Sequence, residues 1–177
     1  MYNVRNKKES AKMFSVIGRT TTGAEEFELV QNGMFGAIGD QIEDNIYEFL
    51  PVSETSKKIF VLATPEVDVD ESKVEYNSLH GFKLKLGQVG DATEVELYSK
   101  GEISEDMVDG TAQKGKYLYL EAGARKLKAS DTLPEGKLLI AKVEDIVPAT
   151  QGMFVGLNGA NLALNYKNIR FQVIETL

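Results

Sequence analysis

The chain has 177 residues, no Cys, a single His and a formal net charge of −7. That length suits one medium domain or two small ones, and the missing Cys excludes disulfides, thiolate zinc sites and a cysteine nucleophile. An acidic balance also argues against generic nucleic-acid binding, which needs clustered Lys and Arg to neutralise phosphates.

The N-terminal stretch Met1–Lys8 is polar and basic with no apolar run behind it, so it does not read as a secretory signal. Residues 1–12 carry Arg5, Lys7, Lys8 and Lys12 against Glu9, a net of +3, and are predicted to form an extended arm. Residues 20–56 hold eight carboxylates and neither Lys nor Arg. A basic arm ahead of an acidic body suits docking on an acidic neighbour; a frayed terminus kept solvated by its charges is the plainer alternative.

Period-two alternation dominates the rest of the chain, and it is cleanest in Phe82–Leu86, Thr93–Tyr98 and Ile169–Val173. Each predicts a half-buried antiparallel strand with one wet face. Further strands are predicted at Met13–Ile17, Phe27–Val30, Ile46–Phe49, Lys58–Ala63, Lys116–Leu120 and Leu138–Val143, where β-branched and aromatic residues concentrate. Turn residues punctuate them at short intervals, among them Asn32-Gly33, Gly90-Asp91, Asp109-Gly110 and Pro134-Glu135-Gly136. Helix is predicted only in short pieces, at Glu102–Val108 and Asn158–Leu164, neither with a full apolar stripe. The expected fold is therefore mainly β: an antiparallel β-sandwich or barrel-like domain, or two, with little helix and an extended N-terminal arm. The acidic stretch 64–80 has few apolar anchors and divides the chain into an arm (1–12), a β unit (13–63), a loop or linker (64–80) and a second β unit (81–177). A single domain over 13–177, with 64–80 as a long surface loop, is the alternative.

No motif for catalysis or a cofactor emerges. Asp68-Val69-Asp70-Glu71-Ser72 has alternating carboxylates, but the twelve-residue calcium loop fails: Lys73 falls where Gly belongs and Leu79 where the bidentate Glu belongs. His80 stands alone, without a Gly-x-Ser-x-Gly elbow, and a lone His cannot build a His-rich catalytic zinc shell. Met34–Asp40 has glycines, but not at dinucleotide-binding spacing, and reads as a sheet corner with close backbone approach. That segment and Gln151–Leu157 are apolar and Gly-flanked; each is either core or an apolar patch for a partner subunit. Tyr117 and Tyr119 alternate with Leu118 and Leu120, so the two tyrosines are expected on one exposed face. With Arg125, Lys126 and Lys128 downstream, this is an aromatic and basic surface of the kind that takes single strands or glycans; a wet sheet face is the plainer reading. The longest apolar runs, Ile59–Ala63 and Leu138–Ala141, fall far below the ~20 residues of a membrane-spanning helix, so a soluble chain is expected.

Val95–Val147 resembles the auxiliary, or decoration, proteins that coat the heads of tailed phages. The likeness rests on Gly115-Lys116-Tyr117-Leu118-Tyr119-Leu120, then Arg125-Lys126-Leu127-Lys128, then Thr132-Leu133-Pro134-Glu135-Gly136 and the closing Lys137–Val143. It covers about a third of the chain and consists of turn chemistry, which many β barrels share. The resemblance implies a virion structural protein, not an enzyme, that binds the major capsid protein or other virion subunits as lattice-bound copies or a homo-oligomer. It brings no cofactor, metal, nucleic acid or membrane. The contacts expected are Arg5, Lys7, Lys8 and Lys12 of the arm and the apolar residues Met34, Phe35, Met153 and Phe154. A phage tail or adaptor component and a carbohydrate-binding β module are the alternatives.

Overall fold

The computed structural model describes residues 2–4, 12–64, 84–148, 154–155, 161–162 and 167–177. The fold is mainly β, as the alternation predicts, and its strands curl into a closed barrel and a larger sheet.

The barrel contains β2 (Met13–Gly18), β3 (Phe35–Glu43), β4 (Ile46–Leu50), β5 (Phe60–Leu62) and β6 (Gly90–Glu94), in the order β2-β4-β3-β5-β6. β3 and β4 form a hairpin through Asp44-Asn45, where Asn45 takes the left-handed φ of 64° that such a tight turn requires. Closure requires β2 to run parallel to β4 and antiparallel to β6. Val16, Phe49, Phe60, Leu62, Leu84 and Ala92 fill the interior.

The second sheet has seven strands in the order β1-β7-β14-β11-β9-β10-β8. These are β1 (Tyr2–Val4), β7 (Lys100–Ser104), β8 (Val108–Asp109), β9 (Tyr117–Leu120), β10 (Leu127–Ser130), β11 (Leu139–Pro148) and β14 (Lys167–Thr176). Register shifts in the long β11–β14 pair mark bulges at Ile140/Ala141 and Val143/Asp145, the local device that bends such strands. A separate small ladder joins β12 (Phe154–Val155) to β13 (Asn161–Leu162).

Barrel and sheet share a wall. On β3 and β5, Phe60 and Leu62 face the barrel interior while Phe35 and Val61 face the sheet core, where Ile103, Leu118, Leu120, Leu139 and Phe171 meet them. All three residues of β5 are buried, which is why Ile59–Ala63 reads as a continuous apolar run rather than an alternating one.

Several expectations are corrected by this packing. Phe35 is fully buried and Met34 half-buried, packed against both cores, so these two form the shared wall and not an open patch. β6 completes the barrel whose other strands lie within residues 13–62, and one core cluster draws residues from both barrel and sheet. Tyr2–Val4 of the predicted arm instead pairs antiparallel with β7 as an edge strand. Phe27–Val30 is irregular, tied to the barrel end by the Arg19–Phe27 bridge and by Glu28 N–H to Gly18 O at 2.8 Å. Within Phe82–Leu86, Leu84 is buried but Leu86 is 62% exposed on a turn that Gly87 makes at φ 74°. Thr93–Tyr98 stops being strand at Glu94, and Tyr98 turns the chain at φ 65°. The helix predicted at Glu102–Val108 does not form, and of Asn158–Leu164 only Asn161–Leu162 lies within the described residues. Glu102–Val108 finishes β7, makes one 3-10 turn at Glu105–Met107 and starts β8, while Asn161–Leu162 is strand. Without an apolar stripe, a helix there would have no face to bury.

Candidate functional site

An open cleft lies at the barrel's seam. β3 pairs with β5 only through Phe35–Val61 and Gly36–Phe60, so past Gly36 it has no strand neighbour on that side among the described residues. Two glycines let the wall close here. A Cβ on Gly36 would lie 2.5 Å from Cζ of Phe49, and one on Gly39 would lie 2.7 Å from Cδ1 of Leu50 and 2.8 Å from Oε2 of Glu48. Beyond them β3 bulges, and the buried Glu48 carboxylate accepts the N–H of Gly23 at 2.8 Å and of Asp40 at 3.3 Å.

Opposite this edge runs the loop 51–59, pinned by the buried side chains of Val52 and Ile59. Its turn is held by Ser56 N–H to Ser53 O and Ser53 N–H to Ser56 Oγ, both 3.0 Å. Between loop and strand lies an open cleft of about 450 Å³. Ala37, Ile38, Leu50 and Phe60 line it together with the polar residues Thr22, Ser53 and Lys57. The volume falls within the ~300–1,000 Å³ of ordinary ligand clefts. Lys58 is committed to Glu94, whereas Lys57 is exposed with no ion-pair partner among the described residues.

A second polar centre sits where the sheet meets the barrel end. Arg125 is only 8% exposed and reaches from the β9–β10 loop into the barrel. Its Nε donates to Glu28 Oε1 at 3.0 Å and its Nη2 to the other carboxylate oxygen, forming a fork. The same Nη2 also meets the carbonyls of Arg19 at 2.8 Å and Phe49 at 3.0 Å. Backbone bonds run alongside, from Phe35 N–H to Arg125 O and from Gly123 N–H to Val52 O, both 2.8 Å. This arrangement locks the shared wall and does not open to a ligand.

On the sheet's outer face Tyr117 and Tyr119 point outward and Leu118 and Leu120 inward, as the alternation predicts. Lys142 lies opposite Tyr117 across the ladder, and Lys137 Nζ sits 5.0 Å from the centre of the Tyr119 ring. Glu121 accepts from Lys128 at 2.5 Å and Lys137 at 2.8 Å. Hydrogen bonding from Lys128, then from Lys137, pushes its carboxyl down from 4.5 to about 2. Lys114 likewise lowers the Asp145 carboxyl through a 3.0 Å contact.

Of the contact residues read from the sequence, Lys12 is exposed at the start of β2, its carbonyl accepting Glu94 N–H at 3.0 Å. Phe154 belongs to the β12–β13 ladder. Arg5, Lys7, Lys8 and Met153 lie outside the described residues, as do His80 and the acidic cluster Asp68–Ser72. The structure adds Lys57, Glu28 and Glu48, which sequence reading did not assign, and it buries Arg125, which the sequence placed with Lys126 and Lys128 on a basic surface. A hint existed for Glu48, a lone acid inside the apolar strand Ile46–Leu50. The Arg125–Glu28 pair, 97 residues apart in the chain, left none. No metal-binding group of three or more His, Cys, Asp or Glu occurs among the described residues, and no helix there is long and apolar enough to cross a membrane. No protein-family model, curated protein or solved structure matches the chain.

Proposed function

We propose that this chain is a structural protein of a virus particle: a decoration, or cement, protein that binds and stabilises the capsid lattice of a tailed phage. The observation carrying this reading is the placement of the arm. Tyr2–Val4 add a strand to the edge of β7, and the basic residues Arg5, Lys7 and Lys8 follow directly in the chain, ahead of the acidic stretch 20–56. A basic segment in a chain that is otherwise acidic suits contact with a neighbouring subunit, with modest contacts multiplied by lattice symmetry. The segment that resembles decoration proteins adds support: it folds with β9 between β10 and β11, and the Pro134-Glu135-Gly136 turn lies on the connection from β10 to β11. In this role the partners are the major capsid protein or other virion subunits, and the protein resides in the virion without catalysing a reaction.

The test is co-sedimentation of the full chain with capsid shells stripped of auxiliary proteins. Saturable binding at a ratio set by the shell's symmetry is expected, weakened by salt and by the R5E/K7E/K8E substitution. A chain that stays at the top of the gradient overturns the reading, and rings or tubes formed by the chain alone would move it to the tail. One observation favours a second reading, a glycan-binding module: the shared outer face of Tyr117 and Tyr119. Glycan binding that Y117A/Y119A abolishes would replace the capsid role.

A further inference from the structure

We propose that Glu48 is the latch of a conformational strap: turn 20–24 closes against the barrel through this one buried carboxylate and lifts away while the rest of the fold stays intact. Glu48 is 4% exposed, yet among the described residues no cation pairs with it and only two backbone N–H groups meet it. A buried charge without a counter-ion is costly to keep. Gly23 donates to one carboxylate oxygen at 2.8 Å and Asp40 to the other at 3.3 Å. The two donors stand on separate segments, so a single side chain joins turn 20–24 to the bulged part of β3.

The strap has little else to hold it. Residues 20–24 are exposed apart from the half-buried Ala24. The bond from Ala24 N–H to Thr21 O, at 3.2 Å, closes the turn only on itself. Among the described residues, the Gly23 bond is the one hydrogen bond from 20–24 to another element. The base is fixed instead, by the Arg19–Phe27 bridge and by Arg19 Nη1 donating to Glu25 O at 2.5 Å. Closing the strap gains two charge-assisted hydrogen bonds; lifting it returns the carboxylate to water, which solvates it well. These terms oppose each other, so opening of the strap costs far less than unfolding the barrel, the condition for local opening. Thr22, in the turn, lines the seam cleft, so the strap forms one side of that opening. The device needs no occupant in the cleft and does not rest on the capsid reading.

Native-state hydrogen exchange on the full chain is the test. The Gly23 and Asp40 amides should exchange through an opening that urea barely accelerates, with less protection than Phe35 and Leu62, whose N–H groups donate to backbone carbonyls in the core. E48Q keeps the side chain's shape but accepts only one of the two N–H groups through its single oxygen. It should speed exchange at one or both of these amides about tenfold relative to Phe35 and Leu62, as loss of one charge-assisted hydrogen bond does. G39A keeps Glu48 but places a Cβ 2.8 Å from its Oε2, and should release the same amides by displacing the carboxylate. Exchange of Gly23 and Asp40 with the rate and urea dependence of the core amides overturns the proposal. So does an effect of either variant that is absent or equally large at Phe35 and Leu62. Failure of both variants to fold overturns it too, because a latch holds the strap and not the fold.

Discussion

Arg125 shows how much one side chain can decide. Its guanidinium is buried, forks onto Glu28 and caps the carbonyls of Arg19 and Phe49, so removing it leaves a carboxylate and two carbonyls short of a partner. R125M should cost about 3 kcal/mol, read as a lower urea midpoint at unchanged slope. R125K should recover little of that, because an ammonium cannot fork across two carboxylate oxygens. A midpoint shift under about 0.5 kcal/mol for R125M would place the pair among contacts of no consequence. Glu121 acts at the surface and in the opposite direction of burial. Its folded value of about 2 lies below the ordinary 4.5, so its contribution is complete above about pH 4.5 and is lost as pH falls towards 2. The stability gap between the native protein and E121Q should therefore shrink across that window and be smaller in high salt. A gap that stays constant with pH would remove Lys128 and Lys137 as its cause.

At the scale of elements, alternation located strands well where both faces had a fate and poorly where the chain only brushed the core. β2, β4, β5, β9, β11 and β14 lie where β-branched and alternating residues put them, though the last two extend further than expected. In Phe82–Leu86 the pattern treats Leu84 and Leu86 as equals, yet Leu84 is 1% exposed in the barrel and Leu86 62% exposed on a turn. L84A should cost about 2–4 kcal/mol, while L86A should fall within about 0.5 kcal/mol of the native protein in the same denaturation series. Similar costs for both would restore the strand that the pattern predicts. β3 was hidden for the opposite reason: its glycines read as a corner, whereas they permit the close approach of Phe49, Leu50 and Glu48.

At the scale of the whole molecule, the core that joins barrel to sheet predicts one cooperative unfolding event. Phe35, Val61, Val95 and Ile59 belong to the same cluster as Leu118, Leu139 and Phe171, so melting either half exposes buried apolar surface on the other. Calorimetric and van't Hoff enthalpies should agree, and fluorescence and far-UV transitions should coincide. Two separated transitions would show that barrel and sheet fold as independent units.

The sequence by itself determined what depends on local chemistry. It specified a mainly β chain, most of its strands, the outward pair Tyr117 and Tyr119, and a basic N-terminal stretch ahead of an acidic body. Strand type follows from side-chain alternation and turn residues, which neighbours in the chain supply. Only the tertiary structure decided that β6 joins the barrel, that Phe35 is core, that Tyr2–Val4 edges the sheet and that β3 has an open seam beside Lys57. Each of these depends on which distant strand lies alongside, and the pairing of residues far apart in the chain is set by shared burial and register, which no local pattern encodes.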